Sequence, residues 1–171
     1  FRLVGSEMCI RDRSGMTTTG ATVLTNLDET PKSILIWRAM LQWLGGIGII
    51  VIAIAVFPML KVGGMQLFKT EFNSKDDKAL PRTVTIATGI GSVYLVLTLM
   101  CFIFLVAAGM NLFDGISHAM TIIATGGFST KNMSIGYFNS LNIEIVTIFF
   151  MLISSLPFLL LFQFSRGKIF D

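Results

Sequence analysis

The 171-residue chain is 53% hydrophobic and 13% charged, with a mean hydropathy of +0.76. A soluble domain carries about 25% charged residues, so this composition excludes an ordinary cytosolic enzyme, and its apolar content excludes a disordered protein. The net charge of +3 does not mark a nucleic-acid-binding protein, because the basic residues form no groove-sized cluster interleaved with aromatics.

Residues 1–13 hold Arg2, Glu7, Arg11, Asp12 and Arg13, five charges in 13 positions. Such a segment is expected to be foreign to the fold, as a tag, vector scar or sequencing artefact would be. Residues 14–33 form a Thr-Gly turn and a polar connection. Residues 34–60 are expected to cross the membrane, since 39–60 is uncharged for 22 residues and about 20 helical residues cross the hydrocarbon core. Residues 61–82 form a basic loop with Lys61, Lys69, Lys75, Lys78 and Arg82. Residues 83–113 are uncharged for 31 positions and form a second span. Cys101 lies inside this run as a small core hydrophobe, and without C-x-x-C spacing neither it nor Cys9 implies zinc or a disulfide framework.

Residues 114–130 differ from the other runs. Only 16 consecutive positions are uncharged, and the run contains Thr125-Gly126-Gly127. A run this short reads as re-entrant rather than spanning. Asp114 fits an N-cap, so a short helix is expected over 115–123, ended by the glycines. Non-helical backbone at membrane depth is tolerated only when buried in protein or lining a watery cavity. Residues 131–165 form an external connection and a third span, with 145–165 uncharged for 21 positions, and 166–171 form the cytoplasmic end. Lys and Arg gather in 61–82 and at Arg166 and Lys168, which places those segments inside the cell and the Thr-Gly turns outside.

The chain repeats. Thr18-Thr19-Gly20-Ala21 matches Ala124-Thr125-Gly126-Gly127 at an offset of 106 residues, and the same offset carries 39–60 onto 145–166. The second copy also has a span and a short helix before its turn; in the first copy these parts are expected to be missing. A dehydrated monovalent cation needs oxygen ligands in place of its hydration shell, and backbone carbonyls supply them. Glycine takes the unusual φ/ψ that such a loop requires, and a preceding threonine adds a hydroxyl oxygen. The re-entrant helix aims its negative end at the cation. Thr19-Gly20 and Thr125-Gly126 fit this design for a monovalent cation. No nucleophile–base pair or catalytic carboxylate pair appears, so no enzyme is expected.

The runs Ser14–Val23, Leu41–Ile50 and Val62–Phe68, with Ala124–Thr130 as a second loop, resemble the TrkH family of bacterial potassium uptake subunits. The related KtrB branch resembles it next best. The resemblance implies an all-α membrane protein of repeated helix–pore loop–helix units: the end of the first and all of the second repeat of a four-repeat, potassium-channel-like fold. It implies a multi-pass protein of the bacterial inner membrane that takes up potassium through a carbonyl filter, with Thr18, Thr19, Gly20 and Ala21 in the first filter strand and Ala124, Thr125, Gly126 and Gly127 in the second. It also implies a homodimer in full-length form, surrounding membrane lipid, and a cytoplasmic nucleotide-binding ring of the TrkA type that binds NAD or ATP. This chain itself is expected to bind no cofactor and no nucleic acid, with the potassium ion as its transported ligand. The alternatives are a sodium-coupled transporter of the KtrB type and a non-transporting assembly or anchoring subunit.

Other residues read more plainly. Gly45, Gly46 and Gly48 lie mid-span and suit close helix packing. Arg38 is expected to snorkel to the interface, and His118 to serve packing or capping. Pro58 and Pro157 suit static kinks.

Overall fold

A helix satisfies its own backbone in an apolar medium, and the long apolar runs fold accordingly. The computed structural model describes residues 2–60 and 79–157. The helices are α1 (Arg2–Met16), α2 (Lys32–Leu60), α3 (Ala79–Ala107), α4 (Leu112–Ile123) and α5 (Leu141–Ser155), with 3-10 turns at Leu27–Glu29 and Ser134–Phe138. No strand occurs among the described residues. Most of the expected basic loop and all of the cytoplasmic end lie outside the described residues.

Helix α3 ends at Ala107, short of the end of its uncharged run. Gly109 adopts φ +107°, and the Met110 and Gly109 amides bond back to the Leu105 and Val106 carbonyls at 3.1 and 3.0 Å. This is a Schellman termination, which favours glycine at the left-handed position. It turns the chain so that α4 starts at Leu112. The N-cap of α4 is Asn111, not Asp114: Asn111 Oδ1 accepts from the Asp114 amide at 2.9 Å. Asp114 instead occupies the third helical position, where its carboxylate accepts from the Asn111 side-chain Nδ2 at 2.6 Å. Both residues are good cap formers, so the sequence left two starting points open.

Helix α1 occupies residues 2–16, where charge content argued against a re-entrant helix and the first copy was expected to lack one. As backbone that helix is present, leading into Thr17–Gly20 as α4 leads into Ala124–Gly127. Its surface differs. Glu7 and Arg13 are exposed and Arg11 pairs with Asp12 at 2.9 Å, whereas α4 buries eight of its residues.

Helix α4 sits among α2, α3 and α5. The core joins Tyr94, Cys101 and Leu105 of α3, Ala119, Ile122 and Ile123 of α4, and Ile143 and Phe150 of α5. Two polar ties link α2 and α3: Tyr94 Oη donates to the Trp43 carbonyl at 2.9 Å and Trp43 Nε1 to Thr98 Oγ1 at 3.0 Å. Residues 87–107 are long and apolar enough to cross a membrane. Leu95, Val96, Leu99, Ile103 and Phe104 on this helix are exposed, as a lipid-facing side requires. Helix α5 stops at Ser155, two residues before Pro157, which has no N–H to continue it.

The glycines of α2 separate by role. A Cβ on Gly45 would overlap the Met16 carbonyl, and one on Gly46 would press on Tyr94 Oη and Ala124, whereas Gly48 has open space. Gly45→Ala is therefore expected to destabilise the protein by about 2 kcal/mol through overpacking against backbone. Gly48→Ala is expected to stabilise it by up to about 1 kcal/mol through helix propensity. Thermal unfolding in detergent reads both, and equal shifts would contradict the packing assignment.

Candidate functional site

Two short loops follow α1 and α4, and they are built alike. In the first, the Thr18 amide bonds to the Gly15 carbonyl and the Thr19 amide to the Ser14 carbonyl, both at 3.0 Å. In the second, the Thr125 amide bonds to Ile122 at 3.0 Å and the Gly126 amide to Thr121 at 2.9 Å. Each is a Schellman cap. Thr18 and Thr125 take φ of 54° and 52°, and Gly20 and Gly127 both take 77°. The structural register thus pairs Thr18 with Thr125 and Gly20 with Gly127, an offset of 107 residues. The expected offset of 106, which paired Gly20 with Gly126, is corrected by one residue. Helix ends set the register, and matching the Thr-Gly letters missed it.

A β-branched residue at positive φ is an outlier that costs about 1–3 kcal/mol and is found where function holds it in place. Here the same strain occurs twice, at matched positions. Thr18, Ala124 and Thr125 line one cavity of about 190 Å³ with Gly46 and Ile49 from α2 and Tyr94 from α3. Thr19, Ala21, Thr125 and Gly127 are exposed along the loops. Gly20 lies directly against Gly126, because a Cβ on Gly20 would overlap the Gly126 carbonyl oxygen. The eight expected residues therefore form two adjacent loops. Thr19 Oγ1 turns to Thr17 Oγ1 at 2.8 Å.

Helix α2 of the first copy backs the second loop. Gln42 is fully buried; its Nε2 donates to the Gly126 carbonyl at 2.8 Å and its Oε1 accepts from the Phe128 amide at 3.1 Å. One turn earlier, Arg38 is 1% exposed, so it does not snorkel to the interface as expected. Its Nη2 donates to Thr22 Oγ1 at 3.0 Å and its guanidinium lies 4.2 Å from the centre of the Phe128 ring, a cation–π contact. The loops draw it inward by supplying that ring and that hydroxyl.

Beyond the second loop the chain is pinned to α4. Asp114, 4% exposed, accepts from Thr130 Oγ1 and Asn111 Nδ2, both at 2.6 Å. His118 Nδ1 lies 2.8 Å from the Asp114 carbonyl and Nε2 lies 3.0 Å from Ser129 Oγ. A carbonyl only accepts, so Nδ1 carries the proton, and in the neutral ring the Ser129 hydroxyl donates to Nε2. His118 is thus a brace between helix and loop. The two connections that follow the loops are tied as well: the Leu27 amide donates to Asn132 Oδ1 at 2.9 Å, and Asn132 Nδ2 donates to Asp28 at 2.7 Å.

Gln42, Arg38, Asp114 and Thr130 were not among the expected site residues. A signal existed for Gln42. It is a carboxamide inside an uncharged run of membrane-span length, and a polar group in such surroundings needs a partner.

The sequence profile of the TrkH family, described as a cation transport protein, matches residues 6–167. The chain is 50% identical over 159 residues to the Trk system potassium uptake protein TrkH of Vibrio parahaemolyticus, which covers 91% of this chain and 33% of that protein. It is 48% identical over 157 residues to the Trk system potassium uptake protein TrkH of Escherichia coli K12, covering 91% and 32%. The crystal structure of the potassium transporter TrkH from Vibrio parahaemolyticus superposes with a TM-score of 0.75 at 46% identity, over 90% of this chain and 30% of that one. The chain spans about a third of the length of the curated relatives it matches.

Proposed function

The chain belongs to the TrkH family of cation transport proteins, and from that premise we propose that it is part of a potassium uptake subunit of the bacterial inner membrane. Residues 17–21 and 124–128 form two sides of its potassium filter. The observation that carries this reading is the shared backbone of the two loops: the same capping bonds and the same positive φ at matched positions, side by side. A cation stripped of water needs closely spaced oxygens. Thr18 and Thr125 hydroxyls and the loop carbonyls are the oxygens offered here, and α4 turns the negative end of its dipole toward the second loop. Transport is permeation, with no bond made or broken in a substrate.

The names of the relatives speak of a Trk system. In the full-length protein we place the two further filter sides outside this chain, a homodimeric assembly in lipid, and a cytoplasmic TrkA-type ring as regulatory partner. The test is cation flux into proteoliposomes holding the full-length protein. Potassium uptake well above sodium uptake is expected. Equal uptake of both ions, or none of either with the regulatory partner present, overturns the reading.

A further inference from the structure

We infer that Gln42 is a positioning residue for ion selection: from the outgoing helix of the first copy it sets where the second copy's loop backbone lies. The inference rests on the reading of these loops as a filter. Both polar atoms of the Gln42 carboxamide are used on one loop, Nε2 toward the Gly126 carbonyl and Oε1 toward the Phe128 amide. The side chain is fully buried, so no water competes for these bonds. Together they fix the backbone on both sides of Gly127.

Three further observations converge on this contact. A Cβ on Gly126 would overlap the Gln42 carboxamide, so that glycine is the residue that lets the side chain in. The Gly126 carbonyl that Gln42 holds is also the atom against which Gly20 of the first loop packs. Arg38, one turn earlier on the same helix, bonds to Thr22 after the first loop and covers the Phe128 ring of the second. One face of α2 therefore holds both loops at a fixed separation. Discrimination between cations of equal charge depends on the number and spacing of oxygen ligands. A carboxamide that prevents one loop from shifting toward the other keeps that spacing.

The bond also assigns the Gly126 carbonyl. It accepts from Gln42 and lies against Gly20, so it serves as the joint between loops.

The experiment compares Gln42→Leu and Gln42→Glu with the unaltered full-length protein in proteoliposomes, reading potassium and sodium uptake separately, with Gly20→Ser in parallel. Leucine removes both bonds at similar volume. Glutamate keeps the size and the acceptor for Phe128 but removes the donor to Gly126. Both variants are expected to elute as assembled protein and to retain potassium uptake within severalfold. The potassium-to-sodium ratio is expected to fall about tenfold, the factor that one or two lost hydrogen bonds carry. An unchanged ratio in both variants overturns the inference, and so does loss of assembly in both, which would make Gln42 a folding residue. The parallel variant separates the causes. A lowered ratio in Gly20→Ser with unchanged Gln42 variants leaves the filter standing and removes only the role of Gln42. Unchanged ratios in all three remove the filter reading itself.

Discussion

Gly20→Ser is expected to collapse the preference for potassium over sodium in the full-length protein, more severely than the same change at Gly127. Both glycines sit at φ 77°, where any other residue costs about 1–2 kcal/mol. Their surroundings differ. A side chain on Gly127 meets open space, whereas the first atom of one on Gly20 overlaps the Gly126 carbonyl oxygen. That oxygen belongs to backbone and is held in turn by Gln42 at 2.8 Å. No rotamer change relieves the overlap, so one loop must move away from the other. Backbone overlap adds to the conformational cost, and each 1.4 kcal/mol is about a factor of ten. Gly20→Ser should therefore lower the potassium-to-sodium uptake ratio at least about tenfold beyond Gly127→Ser. Equal ratios for the two variants would show that backbone conformation alone matters and that the loop contact does not.

Asp114→Ala is expected to be the most destabilising single change at the site. The carboxylate is buried, accepts two hydrogen bonds at 2.6 Å from Thr130 and Asn111, and lies in the first turn of α4. An acidic group there gains from the partial positive charge of the helix start. Alanine leaves the Thr130 hydroxyl and one Asn111 N–H without their acceptor. Bonds to charged groups contribute about 1.5–3 kcal/mol each, so the loss of two is about 3–6 kcal/mol. Asp114→Asn keeps one acceptor for Thr130 but turns an N–H toward Asn111 Nδ2 or away from it, and should cost roughly half as much. Melting of the purified protein in detergent measures both. A shift in Asp114→Ala no larger than in Asp114→Asn would mean that the carboxylate charge and its second acceptor contribute nothing.

The long uncharged runs at 39–60, 83–113 and 145–165, the short run ending in glycines, and the paired Thr-Gly turns were all legible in order along the chain. Hydropathy and glycine placement are local properties, and the bilayer demands them of each segment separately. So was the resemblance to TrkH, because its motifs lie in contiguous stretches. The structure decided what depends on distant residues or on where a helix stops. Thr17-Thr18-Thr19 offers three adjacent threonines as the left-handed cap, and only the bonds back to Ser14 and Gly15 select Thr18 and move the register to 107. Asn111 and Asp114 are both cap formers, and only the observed bond assigns the cap to Asn111. Arg38 carries a charge that by itself prefers the interface; its burial needs the Phe128 ring and the Thr22 hydroxyl, which reach it only once the loops are folded. Gln42 meets Gly126 across 84 residues of chain. Nothing local to either residue encodes that meeting, because the packing of one copy's helix behind the other copy's loop creates it.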